Sequence, residues 1–151
     1  MQLTPYLRQY NISHWPSRIG MLLLTLTLSL ANWLPILAAS QIDIIGPIGS
    51  GRFGTSITLL TNGNFVVTDP EYDLPNGTTD VGAVYLYNGV TGALMSTLTG
   101  STQDDQVGKD GVIALSNGNF VVVSSRWDHG LATDAGAVTW MSGTSQMNGV
   151  V

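Results

Sequence analysis

Apolar residues in the second half of the chain fall into short runs broken by polar, glycine-rich pairs. Thr55 to Leu60 is β-branched and apolar, Asn62-Gly63 interrupts it, and Phe65-Val66-Val67 resumes. Asn-Gly between two such runs predicts a hairpin with a type I′ turn, because both central residues then need positive φ and Asn and Gly tolerate it. Ala83 to Tyr87 reads as a third strand, bounded by the turn residues Asn88-Gly89 and Thr91-Gly92, and Ala93 to Thr99 reads as a fourth. No window here shows apolar residues at 3.6 spacing with a cap before it and a cation at its end. The pattern predicts an all-β protein.

The same pattern then returns. Leu60 to Val67, L-T-N-G-N-F-V-V, reappears as L-S-N-G-N-F-V-V at Leu115 to Val122, and Thr79 to Val84 reappears at Thr133 to Val138 with one residue fewer between the anchors. Self-similarity at this period marks units that cover each other's apolar faces. We expect a possible closing strand at 41–50, a first repeat at 51–101 and an incomplete second repeat at 102–151, each a four-stranded antiparallel blade of a partial β-propeller. Arrays need about three repeats to bury their surface, so two copies suggest a piece of a longer repeat protein, with self-association through exposed strand edges.

Residues 1–40 differ from all of this. They hold Arg8 and Arg18, no acidic residue, the apolar run Met21 to Ala39 and small residues at Ala38, Ala39 and Ser40. That order predicts a secretory signal helix, cleaved near Ser40, or an uncleaved membrane anchor if it is retained. The expected location is therefore secreted or cell-surface, with membrane contact only through this segment.

Charge narrows the partners. Beyond residue 40 the cations are Arg52, Lys109 and Arg126 against all 10 acidic residues. Three scattered cations make no stripe for phosphate backbones, which argues against nucleic acid. Cysteine is absent, so an exported form must be stable without disulfides.

Two long connections, Asp69 to Val81 and Ser124 to Ala135, are the expected functional loops, since loops of this length without secondary structure are often functional. Each places an aromatic before an aspartate, Tyr72-Asp73 and Trp127-Asp128. These four are the candidate ligand-binding residues, for a protein or carbohydrate surface. The competing and favoured reading has the ring packed over the blade edge and the aspartate tying its own turn.

Phe53-Gly54, the hairpin, Gly82-Ala83-Val84-Tyr85-Leu86-Tyr87, Thr91-Gly92-Ala93-Leu94 and Leu98-Thr99-Gly100-Ser101 occur in an order that resembles the FG-GAP blades of integrin-α-like propellers. The L-x-N-G-N-F-V-V core with its Y-D or W-D loop is also similar to surface repeats of filamentous-haemagglutinin-like proteins. The resemblance covers about residues 49 to 151 and implies a propeller-type fold and an adhesive role. It also implies calcium, since many such blades hold the ion with alternating acids. Asp69, Glu71 and Asp73 alternate correctly here, but Pro70 intrudes, and Ser124 and Arg126 stand at the first two positions of the second copy.

Catalytic chemistry finds little support. No cysteine and no G-x-S-x-G elbow are present, and His129 is the one histidine beyond residue 40. Nothing fixes the separation of Asp69 or Asp73 from Asp80 that paired-carboxylate hydrolysis would need, and Asp104, Asp105 and Asp110 read as a solvated inter-blade loop. The expectation is an exported, non-catalytic surface repeat with a binding or structural role, adhesion foremost; a secreted hydrolase fragment or a calcium-binding propeller piece is the alternative.

Overall fold

The computed structural model describes residues 41–151, and the expected leader at 1–40 lies outside the described residues. Among the described residues there is no helix. Eight strands run in chain order: β1 (Ile57–Leu59), β2 (Phe65–Asp69), β3 (Ala83–Tyr87), β4 (Leu94–Thr99), β5 (Val112–Ala114), β6 (Phe120–Ser124), β7 (Ala137–Met141) and β8 (Gly149–Val150). β1 to β4 form an antiparallel meander, and β5 to β7 form a second sheet with the same pairing.

The expected fourth strand of the second blade departs from this plan. β8 leaves its own sheet and adds to the edge of the first, parallel to β4, with Leu98 opposite Gly149 and Thr99 opposite Val150. The first sheet thus has five strands and the second three, in place of one complete four-stranded blade followed by an incomplete one. Side-chain capping favours the transfer: Asn148 accepts the Thr97 N–H at 3.0 Å, and Ser96 Oγ accepts the Met147 N–H at 2.9 Å while donating to the Ser145 carbonyl at 3.1 Å. Residues 41–50 also form no strand, only an irregular segment with one turn.

Both hairpin turns share one geometry, and it is not type I′. Gly63 N–H donates to Leu60 O at 3.0 Å and Leu60 N–H to Asn64 O at 2.8 Å; the matching bonds Gly118 to Leu115 and Leu115 to Asn119 are 3.1 and 2.8 Å. Only the glycines are left-handed, with φ of 86° at Gly63 and 83° at Gly118, and neither asparagine has positive φ. This is a three-residue hairpin loop, a type I turn followed by a left-handed glycine. Asn62 and Asn117 contribute through their side chains instead, each accepting the N–H two residues on, from Asn64 and Asn119, at 3.0 and 3.1 Å.

The period-2 alternation of each strand fixes which face meets which. From the first sheet, Val66, Val84, Leu86 and Leu98 pack with Leu60 against Val107, Phe120, Val122 and Met141 of the second repeat in one cluster. Every member is almost fully buried, and burial of such side chains contributes about 1.5–3 kcal/mol each. The opposite face of the first sheet carries Val67, Ala83, Tyr85 and Tyr87, partly covered by Ile44, Phe53, Phe65 and Tyr72. Its rings interlock, Phe65 stacked on Tyr87 at 5.4 Å and Phe53 tilted on Tyr85 at 5.6 Å.

Candidate functional site

The two long loops are built alike from backbone and carboxylate bonds. In the first, Tyr72 N–H donates to Asp69 O and Gly82 N–H returns to Tyr72 O; in the second, Trp127 N–H donates to Ser124 O and Gly136 N–H returns to Trp127 O. Asp73 Oδ1 accepts the Asp80 N–H at 2.8 Å, and Asp128 Oδ1 accepts the Asp134 N–H at the same distance. Asp80 and Asp134 are themselves left-handed, with φ of 55° and 49°, a conformation that aspartate enters more readily than most residues. The aspartates at 73 and 128 therefore pin the far ends of their own loops.

The preceding rings turn inward. Tyr72 meets Tyr85 edge-on at 6.4 Å, and Trp127 packs against the inter-repeat cluster and stacks on His129 at 5.5 Å. Trp127 Nε1 is buried without a hydrogen-bond partner. The four candidate ligand-binding residues thus serve the loop framework first.

The candidate calcium ligands do not converge. Asp69 is not in the loop at all but closes β2, fully buried, with Oδ1 accepting the Arg52 N–H at 2.8 Å. Glu71 reaches outward to the Arg52 guanidinium at 3.2 Å, and Asp73 is tied to Asp80. Among the described residues no three acidic or histidine side chains are grouped to hold a metal ion. β2 ends at Asp69 and Pro70 opens a turn, so Asp69 stays with the sheet while Glu71 and Asp73 follow the loop.

Asp105 is the residue that sequence reasoning placed wrongly. It is fully buried, with Oδ2 accepting the N–H groups of Ser101 and Thr102 at 2.9 and 2.7 Å and Oδ1 accepting the N–H of Asp128 at 3.0 Å. One carboxylate thereby joins the exit of the first repeat to the long loop of the second. Asp110 is exposed, in keeping with its reading as solvated, and accepts the Ser125 N–H at 2.7 Å; the hydrogen bonds from Ser125 hold its carboxyl below the usual range.

Around this joint lies a cleft of about 420 Å³, lined by Gln103, Asp104, Arg126, Asp128, Thr133 and Asp134. Three carboxylates and one guanidinium with amide and hydroxyl neighbours suit hydrogen bonding to a polar ligand. Of the four predicted ligand residues only Asp128 reaches its wall. Acidity extends past it: Asp80 has its carboxyl raised by burial and then by the charges of Asp73, Asp104 and Glu71. Asp134 and Thr133 were visible in sequence as the repeated T-D pair, whereas Gln103 and Arg126 had no repeated counterpart to draw attention to them.

The contacts between repeats run from the first hairpin turn to the backbone of the second copy. Thr61 Oγ1 donates to Ser116 O at 3.5 Å, Asn62 Nδ2 donates to Gly118 O and Gly143 O at 3.3 and 2.9 Å, and Asn64 Nδ2 donates to Gly143 O at 2.8 Å. The family model for a repeat of unknown function, DUF5650, matches residues 59–109 and again residues 114–151. The chain belongs to the DUF5650 repeat family. Each match opens at the end of a short first strand, just ahead of an N-G-N turn, so a DUF5650 unit here consists of that hairpin, the long loop and the strands after it. Comparison with curated proteins finds no match, and comparison with solved structures finds none either.

Proposed function

We propose that this DUF5650 chain is an exported, non-catalytic surface module, in which stacked propeller-type repeats of FG-GAP-like character present a polar inter-repeat cleft for adhesion to a protein or carbohydrate surface. The observation that carries this reading is the joint itself. A carboxylate buried at the junction, Asp105, shapes a cleft between the connection that follows β4, at Gln103 and Asp104, and the long loop of the second copy. The position of His129 supports a non-catalytic role, because its ring is stacked on Trp127 and its backbone pairs with Ala132. The basic and apolar order of residues 1–40 supports export.

Arg126 tests the adhesive part. It is exposed and lines the cleft, so Arg126→Ala should leave the thermal midpoint within about 2 °C, since surface changes stay within about 0.5 kcal/mol. The same change should weaken attachment of the chain to immobilised glycans or host-surface protein by tenfold or more. Attachment unchanged by Arg126→Ala and by Asp104→Ala together would reject adhesion through this cleft and leave a spacer.

A further inference from the structure

The second sheet leaves one face open, and its composition is unlike a solvent face. Cross-strand register places Ile113, Val121 and Trp140 in one row and Val123 and Val138 in the next, all on the side away from the inter-repeat cluster. Ile113, Val138 and Trp140 are 57%, 72% and 52% exposed. A contiguous apolar patch of this kind marks an interaction surface.

The first sheet shows what such a face does in this molecule. Its matching row, Thr58, Val66 and Leu86 with Thr68 and Val84, follows from the same register. There Val66, Val84 and Leu86 are buried beneath Phe120, Val122 and Met141 of the next repeat. The chain thus contains one occupied example of the interface that its second sheet leaves exposed, and it also carries a partner surface: the β1 side of the opposite face of the first sheet, where Ile57 and Leu59 are 68% and 71% exposed beside the Ile44, Phe53 and Tyr72 that already cover Tyr85 and Tyr87.

We propose that the Ile113–Val121–Trp140 face docks the Ile57-bearing face of a second copy of this chain, head to tail, repeating between molecules the junction present within one. This rests on the reading of the chain as a stacking repeat, and it assigns the self-association to sheet faces where the strand pattern alone suggested edges. The interface is heterologous, so it propagates head to tail, into a ring or an open row according to the rotation per step, instead of closing as a two-fold dimer. Internal contacts fix its register. Thr58 Oγ1 lies 3.5 Å from Val112 O across the internal junction, and moving each position by one repeat sets Ile113 of one molecule against Ile57 of the next. By the same shift, the Asn117 and Asn119 amides meet the Gly89 carbonyl of the neighbour, as Asn62 and Asn64 meet Gly143 within the chain.

The absence of cysteine makes the test direct. Full-length Ile57→Cys and Ile113→Cys variants, both altered at exposed positions, are mixed in reductant and then oxidised. The expected product is the mixed 57–113 disulfide, in at least tenfold excess over either homodimer, and reduced at least tenfold when the Ile113→Cys chain also carries Trp140→Glu. A control far-UV circular dichroism spectrum should be unchanged by Trp140→Glu; if it is not, Val138→Lys takes its place. A dominant 113–113 product would mean that the face closes on itself, and no disulfide above that of a random surface pair would mean that it is unused; either overturns the proposal. Crosslinking indifferent to the charge substitution would mean that association does not use this face and would overturn it as well. If crosslinking fails while Asn62→Ala still loosens the internal junction, the docking face is wrong and the stacking-repeat reading survives.

Discussion

Asp105 takes the backbone N–H of Asp128 on one oxygen at 3.0 Å and those of Ser101 and Thr102 on the other. A fully buried carboxylate is stable only with such bonds, because desolvation of the charge must be offset by donors aimed at it. Asp105→Ala leaves three partly buried N–H groups without their acceptor, each costing toward the low end of about 1–3 kcal/mol. The expected loss is about 3–5 kcal/mol after partial rehydration, read as a fall in the urea midpoint. Asp105→Asn retains one acceptor oxygen and should lose about half as much.

Asn62 tests the joint from the other side. Its amide nitrogen donates to two carbonyls of the second repeat and its oxygen holds its own turn. Asn62→Ala removes all three, at about 1–2 kcal/mol for partly exposed neutral bonds. Asn117→Ala removes only the bond to its own turn within one chain, so about 0.5–1 kcal/mol is expected. Denaturant melts of the two variants side by side should show this asymmetry, and equal losses would mean that the inter-repeat bonds contribute nothing.

Two neighbouring glycines should respond very differently to alanine. A Cβ on Gly63 would meet nothing within 4 Å, so Gly63→Ala carries only the left-handed backbone penalty, about 1 kcal/mol. A Cβ on Gly89 would run into the Gly63 carbonyl oxygen, which belongs to backbone and has no rotamer to escape into. Gly89→Ala should cost more than about 3 kcal/mol, measured by thermal unfolding of purified variants. Gly143 repeats the arrangement against Gly118.

Acid titration separates Asp80 from Asp110. Asp110 has a lowered folded-state pKa, so the stability it contributes is present above the unfolded value and is lost as pH falls through the folded value. Asp80 has a raised one; its charge weakens the fold at neutral pH, and that weakening disappears as pH falls through the raised folded value. Asp110→Asn should therefore destabilise at pH 7 and Asp80→Asn should stabilise. Each effect is on the order of 0.5 kcal/mol after solvent screening, and both should vanish in strong acid. Melting curves from pH 7 to 3 check both signs.

Strand positions were legible because apolar alternation and glycine-rich breaks report directly on a half-buried sheet; Ala83–Tyr87 was readable to the residue, and the all-β class followed. Turn geometry was not. Asn-Gly is compatible with both a two-residue and a three-residue loop, and the choice fell to Asn64 and Asn119, which close the longer one. The fate of β8 was hidden for another reason. Ser96 and Asn148 stand far apart in sequence, and only the packing of the repeats brings the first sheet's edge within reach. Asp105 was misread because one aspartate in a polar loop looks the same whether its donors are water or backbone.

The amides of Asn62 and Asn64 grip Gly118 and Gly143 by their main-chain oxygens and not by any side chain. Carbonyls are common to every sequence, so the grip demands from the adjoining unit a bend and a bare α-carbon and little else. Units whose outward residues have drifted far apart would still fit together, which leaves loop tips such as residues 129–133 free to diversify while the stacking rule stays fixed.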